Sequence, residues 1–238
     1  MTEKNVMRHI TENITNEEVT AYVTSFCHPL SAELANLRRE ADEVAVPIIL
    51  PETEDFLGTF MDIIKPERIL EIGTSIGYSG MFFAEKMMSY GAKKPEVYTI
   101  EKNEETYRIA ERNFSDMGYS KIVHGFLGDG EEVINALLDD GIEKFDMIFI
   151  DAAKSHYRRF LEASLRILKD GGVIICDDTL FEGRPALDPK EPPRKHRTNV
   201  KALRDFNSFA AEDPRFSTTL TTIGNGLTII KPLLRKNI

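Results

Sequence analysis

At 238 residues, with 42% hydrophobic and 29% charged residues, the chain suits one α/β domain with a sizeable core and has an ordinary soluble composition. A formal charge of −9 argues against a protein coated in nucleic acid, although a local basic patch can sit on an acidic chain. No window reaches the apolar length of a membrane span, MTEKNVMRHI lacks a signal-peptide core, and Cys27 and Cys176 make no disulfide framework, so a cytoplasmic protein is expected.

Residues 15 to 65 read as helices, forming an extension over about residues 1–50 and one helix beyond it. Thr15-Asn16-Glu17-Glu18 fits a capping box with Thr15 as N-cap, and Val19, Tyr22, Val23 and Phe26 then form an apolar stripe. His28-Pro29-Leu30-Ser31 breaks that helix, and a second runs from about Ala32 to Val44. After a loop from Val46 to Pro51, a third helix places Phe56, Leu57, Phe60, Met61 and Ile64 on one face and stops at Lys65-Pro66. These helices either cap a ligand or build a dimer, an isologous homodimer being the default assembly.

The next stretch, Arg68 to Gly80 (RILEIGTSIGYSG), reads as strand, glycine turn, helix, the unit that presents backbone N–H groups and a helix N-terminus at the carboxyl edge of a parallel sheet. Its glycines are Gly73, Gly77 and Gly80. Ser75 stands where a dinucleotide fingerprint needs its second glycine, and no P-loop lysine follows. The expected ligand is therefore a nucleoside without phosphates, held by the Glu71 carboxylate and the Ser79 hydroxyl.

Strands and helices then alternate. The strands are expected at Arg68–Ile72, Glu96–Glu101, Lys121–Phe126, Phe145–Asp151 and Gly172–Asp177, with helices at Asn103–Asp116, Glu131–Asp139 and Ser155–Leu168. This pattern implies a parallel sheet covered on both faces. The end differs: Phe216–Ile223, Gly224-Asn225-Gly226 and Leu227–Lys231 read as an antiparallel hairpin.

Acids close three of these strands. Glu101 ends the second, where a carboxylate can accept from ribose hydroxyls or serve the N-terminus of the next helix. Asp151 ends the fourth and Asp177-Asp178 the fifth. If the two strands are neighbours, three carboxylates converge, and their mutual repulsion is relieved by a hard divalent cation such as Mg²⁺, Mn²⁺ or Ca²⁺.

EIGTSIGYS resembles motif I of the cation-dependent O-methyltransferases, the catechol and caffeoyl-CoA group, and Asp151-Ala152-Ala153-Lys154 with Asp177-Asp178 is similar to that group's DxDK-x-x-Y and DN signatures. The resemblance covers about residues 15–232 and implies a Rossmann-like class I methyltransferase sheet, mostly parallel with a C-terminal antiparallel hairpin and helices on both faces. It implies S-adenosylmethionine as cofactor, with Gly73, Glu101 and Asp151 in its pocket, Asp129 and Gly130 beside the adenine, and Ile49 over the methionine end. Asp151, Asp177 and Asp178 become metal ligands, with Asp178 standing where the group usually has Asn. Lys154 becomes the base that takes the substrate hydroxyl proton, its pKa lowered by a cation and a sulfonium nearby. Tyr157 packs or orients the loop.

Phe181 to Phe206 carries the substrate signal: a proline-rich loop with Arg184, Arg194 and Lys195, then a helix with Arg197, Lys201 and Arg204 near one face and Val200, Leu203 and Phe206 on another. The run RKHRTNVKALRDF and the GNGL hairpin look more like the bacterial branch that methylates 5-hydroxyuridine at the tRNA wobble position, which makes tRNA the expected partner. A catechol or caffeoyl-CoA methyltransferase is the alternative, and a binding protein without catalysis is another.

Overall fold

The computed structural model describes residue 14, residues 16–187 and residues 196–233. Among the described residues, three helices precede the sheet: α1 (Glu17–Thr24), α2 (Ala32–Glu43) and α3 (Pro51–Ile64). The cap of α1 is Asn16, whose side-chain oxygen accepts from the N–H groups of Glu18 and Val19, so the helix opens one residue later than the expected capping box, and Thr15 lies outside the described residues. The stripe Val19, Tyr22, Val23 and Phe26 is exposed, and α1 buries no residue. By contrast, α2 and α3 bury Leu34, Leu37, Leu57 and Met61.

A seven-stranded sheet follows: β1 (Arg68–Ile72), β2 (Glu96–Glu101), β3 (Val123–Leu127), β4 (Phe145–Ile150), β5 (Leu168–Cys176), β6 (Phe216–Thr221) and β7 (Leu227–Pro232), in the order β3-β2-β1-β4-β5-β7-β6. The first five strands pair in parallel, whereas β7 pairs antiparallel with both β5 and β6. The intervening helices are α4 (Tyr78–Ser89), α5 (Glu104–Asp116), α6 (Gly130–Asp139), α7 (Tyr157–Ile167) and α8 (Arg197–Glu212). Among the described residues no helix is long and apolar enough to cross a membrane.

Alternation along the central strands sorts the core into two layers, as side chains in a strand point to opposite faces in turn. Ile69, Met147, Phe149, Val173 and Ile175 face one layer with α2, α3, α4 and α5. Leu70, Ile72, Ile148, Ile150, Ile174 and Cys176 face the other with α6, α7 and α8. Cys176 is thus a packing residue, as expected.

Several boundaries differ from the sequence reading. The third strand starts at Val123 instead of Lys121. The helix expected from Ser155 divides into a 3-10 turn, Lys154–His156, and α7. The fifth strand begins at Leu168, which pairs with Phe145, and the polar Lys169-Asp170-Gly171 is carried in the register shift before Val173 pairs with Met147.

Candidate active site

The strand order reverses between β1, which leads outward to β2 and β3, and β4, which returns beside β1. Ligands of open α/β sheets bind at the carboxyl ends beside such a switch point. Backbone bonds continue the ladder past the strands: Gly73 N donates to Ile100 O, Asp151 N to Ile72 O and Asp177 N to Ile150 O, each at 2.9 Å. The strand-end acids are therefore locked in register. A Cβ at Gly73 would lie 1.9 Å from the Asp151 carbonyl oxygen, so only glycine lets the turn pass the end of β4. Two cavities open here, of about 550 and 250 Å³, and share Gly73, Ser75, Asp151 and Ala152 as their common wall.

The larger cavity holds the reactive groups: Ser79, Asp151, Lys154, Asp177 and Asp178 line it. Lys154 Nζ lies 3.2 Å from Asp151 Oδ1, 2.9 Å from Asp178 Oδ2 and 2.9 Å from the Tyr157 hydroxyl. That hydroxyl, wholly buried, donates to the Asp177 carbonyl at 2.8 Å. Asp177 Oδ1 accepts from the Asp178 N–H at 2.6 Å. Burial, and after it the charge of Asp151, pushes the Asp177 carboxyl well above the usual range, and burial raises that of Asp178. Asp178 also holds φ at +54°, and its buried Oδ1 has no hydrogen-bond partner.

The direction for Lys154 is opposite to that expected from sequence. Burial pulls the ammonium down, but Tyr157, Asp151 and Asp178 outweigh it, and its pKa rises. The expectation weighed cationic neighbours, whereas those supplied by the fold are carboxylates. The acids accordingly converge on a lysine: among the described residues, no three His, Cys, Asp or Glu side chains form a group that could hold a metal ion as they stand. The donor set nevertheless suits a hard cation, since two carboxylates pair with one ammonium, the buried Asp177 carboxyl lies within reach of their charge, and one buried oxygen of Asp178 is unpartnered.

Glu101, Asp129 and Gly130 line the smaller cavity. Both oxygens of Glu101 are engaged, Oε2 by Ser75 N at 2.9 Å and Oε1 by Asn103 N at 2.8 Å, so the carboxylate braces the β1 turn and the start of α5 while facing the cavity. Asp129 caps α6 and pairs with Lys102 at 3.1 Å and Arg159 at 2.9 Å. Those bonds outweigh its burial and hold its pKa down at about 2. Its carboxylate is thus occupied by protein groups.

Glu71 departs from expectation. It is 0% exposed and lines neither cavity. Its Oε2 accepts from Thr99 Oγ1 at 2.6 Å, and Thr99 Oγ1 is 2.5 Å from Thr74 Oγ1. Burial pushes its pKa up to about 8, against the pull of Ser79 and Thr99. The side chain lies on the strand face turned toward α4, so it supports the turn from beneath and presents no carboxylate to a ligand. Ile49 is buried in the wall of the larger cavity, on the segment between α2 and α3.

Among the described residues of the expected basic edge, Arg184, Lys201 and Arg204 have partners within the protein. Arg184 is 6% exposed and pairs with Glu182 beside the Phe181 ring. Lys201 pairs with Asp205 one turn on. Arg204 donates to the carbonyls of Pro185 and Leu187, pinning the loop after β5. Arg197 is exposed at the start of α8, and Arg194 and Lys195 lie outside the described residues. Sequence reasoning also passed over Asn225 in the cavity wall, although a glycine-flanked hairpin tip was visible. The tip is fixed by Thr179 N to Gly226 O at 3.0 Å and Leu180 N to Asn225 O at 2.9 Å, immediately after the acidic pair.

The family model described as O-methyltransferase matches residues 23–233. Tapetum-specific methyltransferase 1 of Arabidopsis thaliana is 30% identical over 221 residues, covering 91% of each chain. Tricin synthase 1 of Oryza sativa subsp. japonica is 32% identical over 75% of this chain and 71% of its own. The SAH-bound methyltransferase PaMTH1 of Podospora anserina superposes with a TM-score of 0.80 at 25% identity, covering 92% of this chain and 97% of that one. The O-methyltransferase of Bacillus cereus in complex with SAH gives 0.77 at 26% identity, over 94% and 100%. With its seven-stranded Rossmann-like sheet, the chain belongs to the O-methyltransferase family of caffeoyl-CoA type and is an S-adenosylmethionine-dependent O-methyltransferase.

Proposed function

We propose that the acceptor is a hydroxyl of a small molecule, of the catechol or caffeoyl-CoA kind, and that a divalent cation assists the transfer. The observation that carries this reading is the setting of Lys154. The amine is held by Tyr157 between Asp151 and Asp178, inside a cavity of about 550 Å³ walled by the segment from Val46 to Pro51. A recess of that size takes a phenolic ring beside the methionine end of the cofactor and leaves its open side to any larger remainder of the acceptor. The relatives' names agree, caffeoyl-CoA O-methyltransferases and tricin synthase 1 among them.

In this reading Gly73, Ser79 and Ile49 border the methionine end of the cofactor, Glu101 the ribose, and Asp129 and Gly130 the adenine side. Asp129 contributes through the shape of its capped turn, since its carboxylate is taken by Lys102 and Arg159. Asp151, Asp177 and Asp178 would hold the cation. When bound, S-adenosylmethionine supplies an electrophilic methyl group and the cation supplies charge that favours a deprotonated hydroxyl. With a cation among the three acids their charge would be compensated and the ammonium no longer favoured, so Lys154 Nζ, as the neutral amine, would be the atom that takes the proton the hydroxyl gives up. Tyr157 keeps that nitrogen in register, and the wall of Ile49 and Pro47 excludes water.

Purified protein incubated with S-adenosylmethionine, Mg²⁺ and either caffeoyl-CoA, catechol or tRNA containing 5-hydroxyuridine tests the reading. Mass spectrometry should find the methyl group on one of the small phenols. Methylation of tRNA alone would overturn the small-molecule assignment and restore the nucleic acid expected from the basic run. Undiminished transfer in excess chelator would overturn the cation.

A further inference from the structure

The segment from Val46 to Pro51 reaches the cavity without being part of the sheet, and two anchors hold it there. Ser75 Oγ donates to Pro47 O at 3.3 Å. Arg38, on α2, donates through Nη1 to Ile49 O at 2.9 Å. The same guanidinium donates through Nε to the Tyr78 hydroxyl at 3.2 Å, pairs through Nη2 with Glu54 on α3, and stacks with its carbon 4.6 Å from the Tyr78 ring centroid. Tyr78 donates in turn to Glu54 Oε2 at 2.7 Å. Glu54 is buried, and its other oxygen has no partner.

Tyr78 is the first residue of α4, and it lines the cavity together with Ser79, Ile49 and Arg38 itself. One side chain therefore ties together α2, the cavity wall, α3 and the helix start where the cofactor binds. We propose that Arg38 is a positioning residue that sets cofactor affinity, by fixing the Ile49 wall and the Tyr78–Ser79 helix start relative to each other. The proposal rests on the S-adenosylmethionine reading of the cavity. A planar fork with donors in several fixed directions can meet a carbonyl, a hydroxyl and a carboxylate at once; an ammonium cannot span all three. If the wall were not held, each binding event would have to order it, and that cost would appear as lost affinity.

The test separates charge from reach. Arg38→Lys keeps a cation opposite Glu54 but loses the fork. It should melt close to wild type and bind S-adenosylhomocysteine about tenfold more weakly by calorimetry, the loss expected for one or two hydrogen bonds. The KM for S-adenosylmethionine should rise with it while kcat at saturation changes little. Arg38→Met combined with Glu54→Gln removes both charges, so no buried carboxylate is left unpaired, and should lose affinity to a similar degree. Either variant folding and binding S-adenosylhomocysteine as tightly as wild type would overturn the role of Arg38. A wild-type protein that does not bind S-adenosylhomocysteine would overturn the cofactor reading itself, and the proposal with it.

Discussion

Replacing Tyr157 by Phe isolates one oxygen atom. The ring is wholly buried and meets Phe206 edge-on at 5.5 Å, so Phe fills the same space and leaves no cavity. Two hydrogen bonds are lost: the one received from the Lys154 ammonium at 2.9 Å and the one given to the Asp177 carbonyl at 2.8 Å. A charge-assisted bond and a neutral one, both in the interior, together contribute about 2–4 kcal/mol. For a protein of this size that corresponds to a fall in Tm of roughly 5–10 °C. Lys154 keeps its two carboxylates but loses the hold that aims it across the cavity, so kcat should fall about tenfold or more. Affinity for S-adenosylhomocysteine should stay near wild type, because Tyr157 lines neither cavity. Differential scanning calorimetry and a methyl-transfer assay measure the two effects. A variant that melted with wild type and turned over at the wild-type rate would refute the argument that this hydroxyl orients the lysine.

Lys154→Ala should cut turnover by about a hundredfold or more while leaving cofactor affinity intact, and unchanged turnover would remove the lysine from the chemistry. Glu71 is expected to make stability fall with rising pH. Its folded pKa of about 8 lies above the ordinary value, so the stabilisation is complete below pH ~4.5 and is lost as pH rises toward 8. Glu71→Gln, which keeps a neutral group there, should therefore gain Tm over wild type at pH 8 and lose that advantage at pH 5; an equal difference at both would show that Glu71 does not titrate in this range. Asp178→Asn should fold and melt no lower than wild type, since Asn tolerates the positive φ of +54° and removes a carboxylate that burial disfavours. A clear fall in Tm would show instead that the pair with Lys154 dominates.

The sheet was readable because β1, β4 and the second half of β5 are apolar runs ended by a glycine or acids, and α5 and α6 carry side-chain caps at Asn103 and Asp129. The hairpin was readable from Gly224-Asn225-Gly226. The start of β5 was not, because Lys169-Asp170-Gly171 is locally a turn and only pairing with β4 extends it. Among the site residues, Lys154, Asp151, Asp177, Asp178, Gly73 and Ser79 meet around one cavity. The misjudged residues were those whose meaning depends on the folded arrangement around them. Glu71 lies on the strand face turned away from both cavities, and Arg184 is claimed by Glu182. Charge runs have no partners until the chain is folded, so the basic segment after β5 looked more available than its bonds to Glu182, Asp205 and two carbonyls allow.

The placement of β7 carries a consequence for the order in which this enzyme matures. The strand that lies against β5 is the last in chain order among the described residues, and the tip leading into it braces Thr179 and Leu180, directly beyond Asp177 and Asp178. As the polypeptide leaves the ribosome, those two acids appear some time before the backbone groups that immobilise them. Catalytic competence should therefore wait until β7 has emerged, after much of the core built by β1 to β5 has already condensed.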